Sequence, residues 1–420
     1  MKILWIVNTP LGPIGEKVYG NRVNGIWMDA LLKSFQGIRH DISIATVVNT
    51  KEIIRLSENG VDYFALPDQV PLLYDEKKPG NIQAWRKLLA EIQPDLIQVF
   101  GTEFSHGLCA LREAHGIPSV IYMQGYLGSI VRHYLAGMTA NELKRNITFR
   151  DIIKRDSIRQ QQKKFMRAAE KEKEMFQLSG RIISENEWCN TSVRAVVPDI
   201  KTYDCPLSVN PVFAQTEWRI DRCEPHALIC NASGYPLKGL HMLLRAVALL
   251  KKKFPDIKLY IPGAKVVSDG SLQWALRKRG YTKYIEGLIG DLNIADHIVW
   301  LGSLDQQRLA ESYTKARVFV LCSTIENHSS SLKEAMMVGV PCVASAVGGI
   351  PEYVHHSENG FLYRFEEYEI MAGYIEKLFE DDDLALKLSQ NGRKDMRKLH
   401  SSLENGNRVM EIYKEIMTEI

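Results

Sequence analysis

The chain contains the run Cys322-Ser-Thr-Ile-Glu-Asn-His-Ser-Ser-Ser-Leu-Lys-Glu-Ala-Met-Met-Val-Gly-Val-Pro341. Its start predicts the end of a buried strand, its polar centre predicts a turn, and the segment Leu332–Val338 predicts a helix. A second apolar strand, Pro341–Ala346, follows. A strand, a polar turn at a helix N-terminus, a helix and another strand are typical of a parallel sheet with helices on its faces.

Two glutamates of this run, Glu326 and Glu334, flank the turn with seven residues between them. A helix N-terminus offers free backbone N–H groups and a partial positive charge, which suit a diphosphate. Glu326 can accept hydrogen bonds from sugar hydroxyls, and Glu334 from ribose hydroxyls. The run therefore indicates a nucleotide-sugar site. The segment Ser331-Leu-Lys-Glu334 equally fits a capping box, which would only stabilise the helix.

Length and composition predict an ordinary globular protein. The 420 residues favour about two domains, and 45% hydrophobic with 25% charged residues is a common balance. No stretch reaches the roughly 20 apolar residues that span a bilayer. The apolar start Met1–Asn8 predicts a buried strand rather than a signal peptide. Seven scattered cysteines without a Cys-x-x-Cys pair predict reduced thiols in a cytoplasmic protein.

Short apolar runs alternate with helical stretches in two series, which predicts two doubly wound, Rossmann-like α/β domains. We expect the first domain over residues 1–204, a linker over 205–224, the second domain over 225–394, and a C-terminal helix over 395–420 that could pack back on the first domain. The predicted strands of the first series are Ile3–Val7, Ile42–Ala45, Tyr63–Leu66, Leu96–Phe100, Ser119–Tyr122 and Arg181–Ser184. Those of the second series are Ala227–Ala232, Lys258–Ile261, His297–Leu301, Val318–Cys322 and Cys342–Ala344.

Residues 139–178 form a basic helical insert in the predicted first domain. They hold eleven Lys or Arg against six Asp or Glu, a local excess of five in a chain whose net charge is +3. One interpretation is a long solvated helix of mixed charge. The other is a basic face towards anionic lipid headgroups, to which Ile147, Phe149, Ile152 and Ile153 could add a shallow membrane contact.

Two further segments follow predicted strands of the second series. Lys238, in Cys230-Asn-Ala-Ser-Gly-Tyr-Pro-Leu-Lys-Gly239, can meet a leaving diphosphate as a mobile point charge, and Gly239 lets the backbone come close. Gly348 and Gly349 follow the strand that ends near Ala346, where a ligand crevice is expected in an open sheet. Taken alone, each segment also fits an ordinary loop or turn.

Together with the glutamate pair, these segments resemble the C-terminal domain of family-4 glycosyltransferases over roughly 227–365. The resemblance implies the GT-B fold, with two Rossmann-like domains facing across a cleft, and retaining sugar transfer from a nucleotide-diphosphate donor. By this analogy the catalytic pair is Lys238, on the diphosphate, and Glu326, on the donor sugar, while Glu334 contacts the ribose. It assigns Ser329, Ser330 and Ser331 to the phosphates and places Leu332 among the donor-binding residues. Ser233, also on the donor side, stands where the family often has an Arg.

The first half of the chain resembles the family more loosely. Asn24-Gly25 stands where the family has Gly-Gly before its first helix, and Gln124-Gly125 where many members have a His after a strand. Gln124 can still donate to a sugar hydroxyl. The other residues expected at the acceptor or cleft are Gly12, Gly15 and His106. The stretch from Gln124 onwards and Glu187-Trp188 look like a subgroup encoded with surface-polysaccharide genes.

From these features we expect a retaining, metal-independent hexosyltransferase-type enzyme without a cofactor, with a UDP-sugar as favoured donor. The acceptor would be a saccharide, free or lipid-linked, in surface or capsular polysaccharide synthesis. We expect a cytoplasmic protein, free or peripheral at an anionic inner membrane face, with no nucleic-acid partner. A nucleotide-sugar epimerase of the same fold and a non-catalytic GT-B subunit are the alternatives. The cluster Asp381-Asp-Asp383 is interpreted as an acidic helix start rather than a metal site.

Overall fold

The computed structural model describes residues 1–20, 26–35, 41–68, 74–232, 234–267, 271–399 and 402–419. The chain divides into two compact units. The first unit consists of Met1–Gly128, Met166–Ser208 and His400–Ile420, and the second of Ser129–Phe165 and Val209–Leu399.

Among its described residues, the first unit contains an eight-stranded sheet. Its strands are β1 (Lys2–Ile6), β2 (Asp41–Asn49), β3 (Ile54–Glu58), β4 (Val61–Asp68), β5 (Leu96–Phe100), β6 (Ser119–Tyr122), β7 (Arg181–Ser184) and β8 (Lys201–Asp204). They lie in the order β3-β4-β2-β1-β5-β6-β7-β8. Neighbouring strands are parallel except β3, which pairs antiparallel with β4. The four central strands, β2, β1, β5 and β6, are largely buried because helices cover both faces of the sheet.

The described part of the second unit contains a six-stranded, all-parallel sheet. Its strands are β9 (Ala227–Ile229), β10 (Lys258–Pro262), β11 (Ile298–Gly302), β12 (Val318–Leu321), β13 (Cys342–Ser345) and β14 (Phe361–Tyr363). Their order is β11-β10-β9-β12-β13-β14. Phe319 of β12 pairs with Ile229 on one side and Cys342 on the other. All three are buried in one core cluster.

Helices cover both sheets. They are α1 (Gly12–Tyr19), α2 (Ile26–Ser34), α3 (Pro79–Ile92), α4 (Ser105–Glu113), α5 (Leu127–His133), α6 (Ala140–Arg145), α7 (Phe149–Lys154), α8 (Ile158–Ser179), α9 (Glu187–Arg194), α10 (Pro211–Gln215), α11 (Leu240–Leu250), α12 (Leu272–Arg277), α13 (Gly280–Asp291), α14 (Gln306–Lys315), α15 (Ser330–Val338), α16 (Tyr368–Glu380), α17 (Asp382–Leu399) and α18 (Ser402–Thr418). No helix among the described residues is long and apolar enough to cross a membrane.

The last helix, α18, packs in the core of the first unit. Trp5 of β1 donates from Nε1 to the hydroxyl of Tyr413 at 3.0 Å, and that hydroxyl donates to Gln98 Oε1 at 2.6 Å. All three side chains are buried. A buried Trp or Tyr needs such a partner for its polar atom, so this chain of hydrogen bonds fixes α18 against β1 and β5.

The predicted fold class is confirmed, since both units are Rossmann-like α/β layers built on parallel sheets. Every predicted strand is present with small shifts in its ends. Three strands were not predicted: β3, β8 and β14. β3 and β8 lie at the two edges of their sheet, where β3 has no fully buried residue and β8 has one, and β14 has only three residues. The hydrophobic pattern that predicts a strand is therefore weak in these three segments.

The units do not follow the linear boundaries expected from the sequence. Ser129–Phe165, which includes most of the basic insert, belongs to the second unit rather than the first. The reason is tertiary packing of α6 and α7. The Tyr284 hydroxyl donates to Glu142 Oε1 at 2.8 Å, and Thr148 Oγ1 donates to the carbonyl oxygen of Lys278 at 2.8 Å.

Candidate functional site

The second unit has a topological switch point between β9 and β12. From β9 the chain proceeds outwards to β10 and β11, whereas from β12 it proceeds to β13 and β14 on the other side. Open α/β sheets bind ligands outside the carboxyl ends of the strands at such a point. A cavity lies there, lined by Cys230, Asn231, Ala232, Lys238, Val320, Leu321, Cys322, Ser323 and Ser331.

Lys238 and Glu326 form an ion pair at this cavity. Lys238 Nζ lies 2.5 Å from Glu326 Oε1, and the same oxygen accepts from Ser323 Oγ at 2.6 Å. Burial would lower the pKa of Lys238, but the charge of Glu326 outweighs it and raises the pKa above its ordinary value. Lys238 is therefore a fixed cation, and Glu326 is held in place by two donors.

Two glycines allow the loops that carry this pair to approach each other. Gly239 has φ +65°, and a Cβ there would collide with the carbonyl oxygen of Cys322. Gly348 has φ +54°, and a Cβ there would collide with the carbonyl oxygen of Glu326. Both positions need glycine for conformation and for space. The close approach is thus between loops of the protein, whereas the sequence had suggested an approach to ligand.

Helix α15 begins at the cavity. Ser329 is its N-cap, and Ser329 Oγ accepts from the backbone N–H of Leu332 at 3.4 Å. Ser330 and Ser331 occupy the first helical positions, so their N–H groups have no acceptor within the helix. The capping box proposed for Ser331 and Glu334 is wrong, because the third helical position is Leu332 and Glu334 lies beyond it.

Glu334 is a buried carboxyl with one polar neighbour on the adjacent helix. The Tyr313 hydroxyl donates to Glu334 Oε2 at 3.3 Å and accepts from Asn231 Nδ2 at 2.8 Å. Burial raises the pKa of Glu334 from its ordinary value of 4.5 to about 8, despite the hydrogen bond from Tyr313. Among the described residues, Asn231 Oδ1 is buried without a hydrogen-bond partner. The chain Asn231–Tyr313–Glu334 was not predicted, because its members are distant in sequence.

Two thiols lie at the cavity. Cys230 Sγ and Cys322 Sγ lie 3.6 Å apart. Their mutual hydrogen bond and burial raise the pKa of Cys322 well above its ordinary value, and a thiol that stays protonated is a poor nucleophile. Among the described residues, no group of three His, Cys, Asp or Glu side chains could hold a metal ion. Asp381 instead caps α17, where its Oδ1 accepts from Leu384 N at 2.9 Å.

The first unit has its own switch point, between β1 and β5. Asn8 Nδ2 donates to Glu103 Oε2 at 2.8 Å. Glu172 is buried, and its oxygens accept from Thr102 Oγ1 at 2.6 Å and from the N–H groups of Leu127 and Gly128 at 3.1 Å.

Both of these carboxyls, Glu103 and Glu172, have raised pKa values. Burial raises the pKa of Glu103 to about 7. Burial also raises the pKa of Glu172 to about 8, with a smaller contribution from the charge of Glu103. Neither glutamate was selected from the sequence, since single glutamates after a strand or in a charged helix carry no distinctive pattern.

The residues predicted for the acceptor side differ in how deeply they are buried. His106 is buried in α4, where its Nε2 lies 3.1 Å from the carbonyl oxygen of Val7, and burial lowers its pKa to about 4. It is thus a neutral core residue rather than a surface group that touches acceptor. Gln124 and Gly125 follow β6 and are partly buried. Gly12 begins α1 and Gly15 is buried within it. Asn24, Gly25 and Ser233 lie outside the described residues.

Comparison with known proteins identifies the segment that carries the cavity. The family Glycosyl transferases group 1 matches residues 224–395. The matched segment is less than half of the chain. A D-inositol 3-phosphate glycosyltransferase of Streptomyces griseus is 33% identical over 153 residues, 36% of this chain and 31% of that protein. The chain matches less than half the length of the first curated relatives.

Solved structures resemble the whole chain. Sucrose-phosphate synthase from Thermosynechococcus elongatus has a TM-score of 0.73 at 19% identity and covers 100% of both chains. HepE from Anabaena in complex with UDP-glucose has a TM-score of 0.67 at 15% identity and covers 99% of this chain and 100% of its own. At these identities the likeness establishes the fold, which is that of GT-B glycosyltransferases.

Proposed function

We propose that this protein is a retaining glycosyltransferase that moves a sugar from a nucleotide-diphosphate donor to a saccharide acceptor without a metal ion. The observation that carries the proposal is the shared cavity of Lys238 and Ser331 at the switch point of the group 1 domain. A fixed cation and a helix N-terminus beside one cavity are the two features that bind a diphosphate.

Each donor-side residue then has a distinct role. Lys238 and the N–H groups of Ser330 and Ser331 hold the diphosphate. Glu326 accepts from hydroxyls of the donor sugar, and Glu334 accepts from the ribose. The group 1 domain thereby binds the nucleotide sugar, and the first unit binds the acceptor. UDP is the favoured carrier because the structural neighbour HepE was crystallised with UDP-glucose.

The reaction exchanges one bond at the anomeric carbon. The bond from this carbon to the diphosphate oxygen breaks, and a bond to the acceptor oxygen forms on the same face. The proton of the acceptor hydroxyl passes to the departing diphosphate. The protein contributes position and charge: Lys238 stabilises the negative charge that develops on the leaving group. No side chain of the protein becomes covalently attached to the sugar.

For the acceptor we propose a saccharide, free or lipid-linked, that is extended in surface-polysaccharide synthesis. Gln124, Gly125, Asn8 and Glu103 all follow strands of the first sheet at their carboxyl ends, where ligands of such sheets bind. Amide and carboxyl groups are suited to the hydroxyls of a sugar.

The test begins with a panel of UDP- and GDP-sugars in a thermal-shift assay, since a ligand of the folded state raises the melting temperature by mass action. The best donor is then incubated with purified full-length protein and candidate oligosaccharide acceptors, with and without excess chelator. We expect transfer that survives chelator and preserves the anomeric configuration, as read by NMR. Turnover that is lost with chelator and restored by magnesium or manganese would overturn metal independence.

The same assay separates the alternatives. A nucleotide-sugar epimerase would convert the donor to an isomer in the absence of acceptor. A non-catalytic subunit would bind the donor but neither hydrolyse nor transfer it. The intact Lys238–Glu326 pair favours a working transferase over this last alternative.

A further inference from the structure

Helix α7 exposes its apolar residues and buries its acidic one. Phe149, Ile152 and Ile153 are 67%, 66% and 61% exposed, and Ile147, just before the helix, is 41% exposed. Asp151, on the same helix, is fully buried. Helices of globular proteins normally have the opposite arrangement, with the apolar face inside. We call Ile147, Phe149, Ile152 and Ile153 the apolar tip.

The polar side of α7 holds this orientation. Thr148 and Asp151 form a reciprocal capping box, with both bonds at 3.2 Å. Thr148 Oγ1 also donates to the carbonyl oxygen of Lys278 on the second unit at 2.8 Å. A Cβ at Gly280 would come within 2.8 Å of Asp151 Oδ2 and of the Asn146 carbonyl oxygen, so α7 lies directly against α13. The helix that carries the apolar tip is therefore well packed on its polar side, and this packing leaves the tip exposed.

The charge that faces solvent around the tip is positive. Five basic side chains near it are exposed: Lys144, Arg145, Lys154, Arg155 and Arg159. The nearby acids do not offset them at the surface, because Asp151 is buried and Asp156 accepts from Arg150 at 3.0 Å and from Lys164 at 2.9 Å. Exposed apolar side chains flanked along the chain by exposed basic residues suit a surface that is apolar within and anionic outside.

Size also favours a lipid surface over a protein partner. A stable protein interface covers roughly 800 Å² on each partner, far more than four side chains supply. A few apolar side chains and basic residues are enough for reversible attachment to a membrane. We propose that the apolar tip inserts into an anionic membrane surface while the five basic residues contact the headgroups. This attachment is independent of the reaction proposed above.

The proposal keeps the four apolar residues of the expectation drawn from the sequence, but it does not keep a basic face that extends over the whole insert. Lys164 of that face is paired with Asp156, and α8 extends from one unit into the other. The contact is instead local to α6, α7 and the start of α8.

The test uses full-length protein and sedimentation with vesicles of phosphatidylcholine alone or mixed with phosphatidylglycerol. The tip variant carries Phe149→Ser, Ile152→Ser and Ile153→Ser. The matched control carries Leu249→Ser, Ile370→Ser and Leu399→Ser, three exposed apolar residues elsewhere on the second unit. We expect the wild type and the control to bind anionic vesicles at low salt, and the tip variant to bind at least about tenfold more weakly. A variant with Lys154→Glu and Arg155→Glu should lose the preference for anionic lipid.

Three results would overturn the proposal. They are no binding of the wild type at low salt, equal binding of the tip variant, and a tip variant that alters the oligomeric mass in light scattering without altering vesicle binding. The last result would assign the tip to contacts between copies of the chain. Melting temperature and nucleotide binding of each variant establish that it is folded. Donor turnover in solution should be unchanged in the tip variant, so failure here leaves the proposed reaction untouched.

Discussion

The two units place polar groups at equivalent points of similar sheets, but the charges differ. At the switch point of the second unit, a lysine is paired with a glutamate beside the N-terminus of α15. At the switch point of the first unit, Glu103 meets the amide of Asn8, and Glu172 accepts hydrogen bonds nearby. One site holds a cation that stays charged, and the other holds two carboxyls with raised pKa values.

We interpret this difference as a fold that sets where a ligand binds and loops that set which ligand it is. A cation and free N–H groups attract a diphosphate. Carboxyls that bind protons near neutral pH repel a diphosphate only when ionised, and they hydrogen-bond well to hydroxyls in either state. We infer that the second unit is built for the charged part of the donor and the first for a hydroxyl-bearing acceptor.

The largest expected effect concerns the ion pair. Lys238→Ala and Glu326→Gln should each lower turnover about 10²–10³-fold, since losing one such electrostatic contact costs about 2.7–4 kcal/mol in the barrier. Because the two side chains form one pair, the double variant should lose less than the product of the two single effects. Steady-state kinetics with the best nucleotide sugar measures this. Lys252→Ala and Glu358→Gln, exposed residues of the same unit, serve as controls, and near-wild-type turnover in both site variants would defeat the assignment.

A smaller effect, on stability and on nucleotide binding, is expected from substitutions of Gly239 and Gly348, the glycines that allow the two loops to approach each other. Gly239→Ala and Gly348→Ala should lower the melting temperature and weaken nucleotide binding, because each added Cβ would collide with a backbone carbonyl. Gly302→Ala is the matched control: its φ is +72°, but among the described residues a Cβ there meets no atom within 4 Å. This control should cost only the conformational penalty of roughly 1–2 kcal/mol. If Gly239→Ala and Gly302→Ala behave alike in both assays, the close approach is unimportant.

The comparison also shows which part of the site can be predicted from sequence. Lys238, Glu326 and the serines at the start of α15 lie in short runs after strands, where pattern and chemistry coincide. The run from Cys322 to Pro341 predicted the strand–turn–helix that the structure contains, and the nucleotide sugar that it indicates stays a prediction. Its internal arrangement was not predictable, because Gly348 and Glu326 meet only when β12 and β13 are neighbours in the sheet.

The first unit was predicted less well for the same physical reason. Glu103, Asn8 and Glu172 are distant in sequence, and only the folded sheet brings them to one switch point. His106 had the right position after a strand, but helix α4 turns it into the core. Likewise, the charge of the basic insert was evident from the sequence, whereas the burial of Asp151 and the exposure of Phe149 depend on how α7 packs.

A third experiment asks what Glu334 does in the donor site. If it holds the ribose, Glu334→Gln should weaken nucleotide binding by up to about tenfold, because the net contribution of one hydrogen bond is about 0.5–1.5 kcal/mol. Tyr313→Phe is the control, since it removes the internal hydrogen bond to Glu334 and leaves the carboxyl in place. Calorimetric titration with the nucleotide measures both. Equal affinities in Glu334→Gln and the wild type would make the residue purely structural.

The smallest expected effect is on how the stability of the first unit depends on pH. The pKa of Glu103 rises from its ordinary value of 4.5 to about 7, so between these pH values the folded protein holds a proton that the unfolded chain has lost. The free energy of unfolding must therefore fall as pH rises through this window. Glu103→Gln removes this dependence while keeping a polar group beside Asn8. The variant should melt at nearly the wild-type temperature at pH 5 and a few degrees higher at pH 8, given that about 1 kcal/mol shifts the melting temperature of such a unit by about 2–4 °C.

Glu52→Gln, an exposed residue of the same unit, controls for the loss of one negative charge. Scanning calorimetry from pH 5 to pH 8 gives the comparison directly. Parallel curves for Glu103→Gln and Glu52→Gln would mean that Glu103 is an ordinary carboxylate, and the contrast in charge between the two switch points would then rest on Glu172 alone.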